Sequence, residues 1–196
     1  MAASTTLGKC NSSDARRFSH FDGEVVSAIR KLEDIPLKRS AARQASSLLA
    51  WDMLCDLVAY VAKGNDATCL KDEDGRPWAE IAGHRHGVSI SHSRGWVVVA
   101  VAVDPGLLIG VDLEYRNEGR SIPQMAEQLG LPRVTSVSDF YDAWCRYEAI
   151  FKATGESDPV VQLDLSSVVL PVPADFASSL VMVDAGEKSH QDSINR

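Results

Sequence analysis

Two stretches of the chain carry apolar residues at helical spacing. In KRSAARQASSLLAWDMLCDLVAYVAKG, residues 38–64, Ala50, Met53, Leu54, Leu57, Val58 and Val61 recur every three or four residues. That pattern predicts a long helix with one buried face, stopped at Gly64. In SDFYDAWCRYEAIFKATG, residues 138–155, Trp144, Glu148 and Lys152 fall on one stripe, while Phe140, Tyr147 and Phe151 fall on a neighbouring stripe that would anchor the helix. Ser138 suits its start and Gly155 its end.

Between these helices the rhythm changes. Residues 88–92 and 96–103 read as strands joined by a turn at Ser93–Gly95, and residues 107–114 as a third strand, together an antiparallel meander. Asp74-Gly75 before Pro77 marks a turn within residues 71–81. The HRH segment, His84 to His86, reads as a loop. A short helix is expected over Pro123–Leu129, and strand-like pieces over 161–171 and 179–184. Residues 1–35, with weak periodicity, read as a loose arm with at most one short helix, and the polar end, residues 185–196, as a disordered tail. The order helix, strands, helix, strands predicts an α+β fold of two similar halves.

Within the third strand, alternation places Ile109, Val111 and Leu113 on one face and Gly110, Asp112 and Glu114 on the other. Two neighbouring carboxylates repel, so a cation is expected between them. Glu148 supplies a third hard oxygen donor. Magnesium suits such a set, since it keeps several waters and completes its shell with substrate phosphates. Lys152, one turn beyond Glu148, would neutralise charge on a phosphate oxygen. The plainer alternative is an ordinary Glu148–Lys152 surface pair worth about 0.3–0.5 kcal/mol.

Composition narrows the class. At 196 residues with 45% hydrophobic and 24% charged content, the chain reads as a soluble globular protein. No stretch reads as long and apolar enough to span a membrane, and the N-terminus lacks a signal peptide's apolar core, so a cytoplasmic location is expected. A net charge of −7 argues against general nucleic-acid binding. It leaves room for local basic patches, at Arg16 and Arg17 and at Lys38, Arg39 and Arg43. The four cysteines, Cys10, Cys55, Cys69 and Cys145, show no C-x-x-C spacing and read as free thiols. Ser91 and Ser93 beside His92 lack a nucleophile elbow, which disfavours a hydrolase. Trp51, Trp78 and Trp96 read as packing residues, and Cys145 has no evident activating partner.

Four short motifs, in order, resemble the signature of 4′-phosphopantetheinyl transferases: GRP at 75–77, SISHS at 89–93, GVDLE at 110–114 and WCRYEAIFK at 144–152. The resemblance covers roughly residues 38–155, and the chain length is similar to that of the monomeric, surfactin-type branch. It implies a pseudo-dimer of two α/β subdomains, each a small antiparallel sheet on a long helix, here 1–106 and 107–185 with a tail at 186–196. It further implies magnesium-dependent transfer of phosphopantetheine from coenzyme A to a serine of an acyl or peptidyl carrier protein, with release of 3′,5′-adenosine bisphosphate. Asp112, Glu114 and Glu148 would hold the metal, and Glu148 or a metal-bound water would take the serine proton. Lys152 would hold phosphate and steady the leaving group, His92 and Arg43 would reach the 3′-phosphate, Arg76 and Pro77 would line the adenine end of the cleft, and Ser91 would also bind coenzyme A. Tyr147 departs from the Lys or Arg usual in the family, and the segments after Arg116 and Val161 are short for the branch. The alternative is a non-catalytic relative that binds coenzyme A or a carrier protein.

Overall fold

A computed structural model describes residues 18–21, 23–73, 75–128, 130, 136–155, 165 and 167–184. The elements are β1 (Phe18–Phe21), β2 (Val25–Lys31), α1 (Arg39–Ala62), β3 (Ala67–Lys71), β4 (Pro77–Ile81), β5 (His84–His86), β6 (Val88–Ser93), β7 (Trp96–Ala102), β8 (Leu107–Tyr115), α2 (Ile122–Gln128), α3 (Val137–Thr154), β9 (Ser167–Val168) and β10 (Phe176–Asp184). The class is mixed α+β, with three small antiparallel sheets ordered β1-β2-β7-β6, β8-β10-β9 and β3-β4-β5.

The two long helices lie where apolar spacing puts them. On α1 the buried stripe is Ser46, Ala50, Met53, Leu54, Leu57, Val58 and Ala62. It packs on Val26, Ala28, Val97, Val99 and Val101 of the four-stranded sheet. By length and mean hydropathy, 1.4 over 18 residues, α1 has the character of a membrane span, contrary to the sequence expectation. Its apolar stripe here lies against a sheet, as in the core helix of a globular protein.

The opposite face of that sheet, Val25, Val98, Ala100 and Ala102, packs on Ile109, Val111 and Leu113 of β8. The other side of β8 and β10 is covered by α3 through Ala149, Ile150, Ala153, Val181 and Val183. The succession is helix, sheet, sheet, helix, so β8 is buried on both faces. That explains why the carboxylates on its α3-facing side are not a solvated strand end.

Several sequence expectations require correction. Residues 18–31 form a β1–β2 pair rather than a loose arm, with Gly23 in the left-handed region, as a tight hairpin turn requires. The HRH segment is a strand, held by β4 and by a hydrogen bond between His86 Nδ1 and the Ala102 carbonyl at 3.0 Å. Residues 67–71, to which the sequence assigns no element, form a strand. The meander stops after β7, because β8 pairs with β10. On α3 the N-cap is Ser136, whose hydroxyl accepts from the Asp139 amide; Gly155 ends the helix at φ 77°. The buried stripe of α3 runs through Phe140, Tyr141, Cys145, Ala149, Ile150 and Ala153, with Tyr147 and Phe151 only half-buried. The strand-like piece expected at 161–171 contains β9, and its first residues, 161–164, lie outside the described residues, as do the tail and Arg16 and Arg17.

Candidate active site

Gly110 is the residue on which the geometry turns. A Cβ there would overlap the Ala149 carbonyl and stand 2.7 Å from the Ala153 nitrogen. Only glycine lets the β8 backbone approach α3 this closely. The approach carries Glu148 and Lys152 of α3 to the strand face that bears Asp112 and Glu114.

Lys152 is the hub of the contact. Its Nζ donates to Asp112 Oδ1 at 2.8 Å and to the Val111 carbonyl at 3.0 Å. The Glu148–Lys152 surface pair is thus replaced by a partner on another element. Asp112 is buried, and the same Oδ1 accepts from Ser91 Oγ at 2.8 Å. Its Oδ2 is buried with no hydrogen-bond partner among the described residues. Ser179, opposite Asp112 across the β8–β10 ladder, also buries a hydroxyl oxygen that is unpaired among the described residues. Cys145 lies against the same carboxylate, and burial and Asp112 push its thiol well above the ordinary range.

The other two carboxylates share this environment. Burial, then the charge of Asp112, raises the carboxyl of Glu114 above its ordinary value; Ser93, Arg120 and Lys152 oppose the rise. Ser93 Oγ donates to Glu114 Oε2 at 3.3 Å. Glu148 is raised by burial and by Asp112, with Lys152 opposing. Three carboxylates against the Lys152 ammonium and the charge of Arg120 still leave an excess of negative charge. Among the described residues, no group of three or more His, Cys, Asp or Glu forms a ready metal cage. The set nonetheless fits a hard dication that takes one or two carboxylates and completes its shell with phosphate and water. Asp112, with its unmet oxygen, and the charge-strained Glu114 and Glu148 are the residues that could hold it.

Lys152 also lines a cleft of about 640 Å³ between α1, the β3–β4 hairpin, β6 and the end of α3. Arg76, Pro77 and His92 line it too. The Arg76 guanidinium comes within 3.8 Å of where a Cβ on Gly155 would stand, so the hairpin turn reaches the end of α3. Burial lowers the pKa of His92, as do the charges of Arg43 and Lys152, which places His92 in the field of both. Arg43 is exposed and stands outside the cleft lining, although its charge reaches His92. Ser91 faces β8, outside the lining. Asp112, which pairs with Lys152, and Glu114 and Glu148 are also outside the lining.

Two tryptophans read from sequence as packing residues belong to this cleft. Lys71 Nζ sits 4.9 Å from the Trp51 ring, and the Arg85 guanidinium 4.8 Å from the Trp78 ring, and all four residues line it. Lys71, Arg76, Arg85 and Lys152 face Asp72 as the one carboxylate among the described lining residues. A chain of net charge −7 therefore concentrates cations in one concave surface, suited to an anionic ligand with a flat ring. Nothing in the spacing of Trp51, Lys71, Trp78 and Arg85 signals this; packing of α1 on β3 and pairing of β3 with β4 and of β4 with β5 bring it about. Trp96 does pack, edge-on to Phe176 at 6.2 Å. Tyr147 stacks on Trp144 with centroids 5.7 Å apart. Compared with known proteins, no family model matches the chain, and no curated protein matches it.

Proposed function

We propose that the protein is a magnesium-dependent 4′-phosphopantetheinyl transferase acting on a carrier protein. The observation that carries the reading is the ion pair between Asp112 and Lys152, the lysine lining a basic cleft. Residues from two motifs, 40 positions apart, meet here, which supports a site for a pyrophosphate and its counter-ion. The pseudo-dimer reading of halves 1–106 and 107–185 draws support from the arrangement of one long helix on each of two sheets. A cytoplasmic monomer accompanies the proposal.

Coenzyme A would lie in the cleft, with Arg76 and Pro77 beside the adenine and His92 and Arg43 at the 3′-phosphate. The carrier serine oxygen bonds to the β-phosphorus as the bond to the leaving 3′,5′-adenosine bisphosphate breaks. Lys152 holds a phosphate oxygen and steadies the leaving group. Glu148, its carboxyl made more basic by burial and by Asp112, takes the serine proton directly or through a water. Magnesium, when bound, supplies neutralisation of the pyrophosphate charge.

Intact-mass spectrometry of apo carrier proteins incubated with the protein, coenzyme A and magnesium tests the proposal. The expected result is a gain of one phosphopantetheine, lost without magnesium and lost when the carrier serine is replaced. Coenzyme A binding without any gain would favour the non-catalytic relative.

A further inference from the structure

We infer that Ser91 is a positioning residue, whose buried hydroxyl fixes the Asp112 carboxylate in the orientation that receives a divalent cation. The inference rests on the metal reading above. β6 and β8 are the edge strands of two different sheets, and no backbone ladder joins them. Serine hydroxyls make the junction instead. Ser89, Ser91 and Ser93 alternate along β6 and accept from the backbone amides of Val111, Leu113 and Tyr115 at 2.9, 3.2 and 3.1 Å.

Each hydroxyl retains one hydrogen to give. Ser91 gives it to Asp112 Oδ1 at 2.8 Å and Ser93 to Glu114 Oε2 at 3.3 Å. Opposite Ser89 the strand carries Gly110, with no carboxylate to receive it. One repeated residue thus joins the sheets at three rungs and orients a carboxylate at two. Lys152 shares Asp112 Oδ1 with Ser91, so Ser91 remains its donor whenever a phosphate draws Lys152 away. Partners that orient a metal ligand in this way typically contribute about 10–100-fold to metal affinity.

The test is Mn²⁺ binding to the full chain, read by electron paramagnetic resonance without coenzyme A or carrier. Ser91→Ala should weaken binding about 10–100-fold. Ser89→Ala removes an equivalent rung without touching a carboxylate and should leave affinity unchanged. Ser91→Thr, which keeps the hydroxyl, should recover most of the loss. If Ser91→Ala does not fold, Ser91→Cys fills the same space with a weak donor and should show the same direction of loss. Equal affinity in wild type and the Ser91 variants, or equal losses in Ser91→Ala and Ser89→Ala, would overturn the role of Ser91 and leave the metal reading standing. A wild-type chain that binds no Mn²⁺ would overturn the metal reading and this inference with it.

Discussion

Lys152 on α3 and Asp112 on β8 meet at 2.8 Å, the carboxylate side chain only 6% exposed and the lysine 29%. A buried carboxylate that loses its cation keeps its desolvation cost without compensation. Lys152→Ala should therefore destabilise the fold by about 1–3 kcal/mol, a range set below that of a fully buried pair because Lys152 is partly solvated. Asp112→Asn in that background should recover much of the loss, because the uncompensated charge is gone. Urea denaturation of the two single variants and the double variant checks both statements; additive losses would show that the two side chains do not act as a pair.

Gly110→Ala should be among the most damaging small substitutions in the chain. The added methyl overlaps backbone rather than a flexible side chain, so α3 must move off β8. A loss of about 3 kcal/mol or more is expected, against the usual 1–3 kcal/mol for an overpacked core. Because the close approach brings Lys152 to Asp112, thermal denaturation and ligand binding should be impaired together. A normal melting temperature would mean that the contact relaxes without cost.

The helices, β6, β7 and the carboxylate-bearing strand were legible because their apolar residues keep a helical or strand rhythm. β1 and β2 were not legible, although Val25 packs on one side of β2 and Val26 and Ala28 on the other. Nor were β3 and β5, which are too short to establish a period. The break in the meander could not be seen, since it depends on β10 pairing with β8 more than 60 residues along the chain. Asp112, Glu114, Glu148 and Lys152 were legible as a group through their motifs. The basic lining of the cleft was not, because Lys71 and Arg85 meet Trp51 and Trp78 only after three strands have paired and α1 has packed on them.

Replacing Glu148 with glutamine should stabilise the metal-free protein at neutral pH. Burial and Asp112 raise this carboxyl above its reference value of 4.5, so the folded chain holds the proton more tightly than the unfolded chain. Stability then falls as pH rises from 4.5 through the folded value and stays lower above it. Glu148→Gln removes that decline, so its advantage should be greatest at about pH 7 and vanish below about pH 4. Melting temperatures across that range check the sign. An advantage that persists in acid would implicate packing rather than charge.

Coenzyme A affinity should rise as the solution is acidified through the range in which His92 titrates. Burial, with the charges of Arg43 and Lys152, lowers its pKa below 6.5 in the free protein, so the ring enters neutral solution uncharged. A phosphate beside it favours the protonated ring and raises that value on binding, so binding takes up a proton. Calorimetry should show affinity increasing as pH falls from about 7.5 towards 6, with the slope abolished in His92→Gln. Arg43→Ala should weaken coenzyme A more than dephospho-coenzyme A, because only the former carries the 3′-phosphate. Equal losses for the two ligands would place the 3′-phosphate away from Arg43. An unchanged slope in His92→Gln would place the titrating group elsewhere in the cleft.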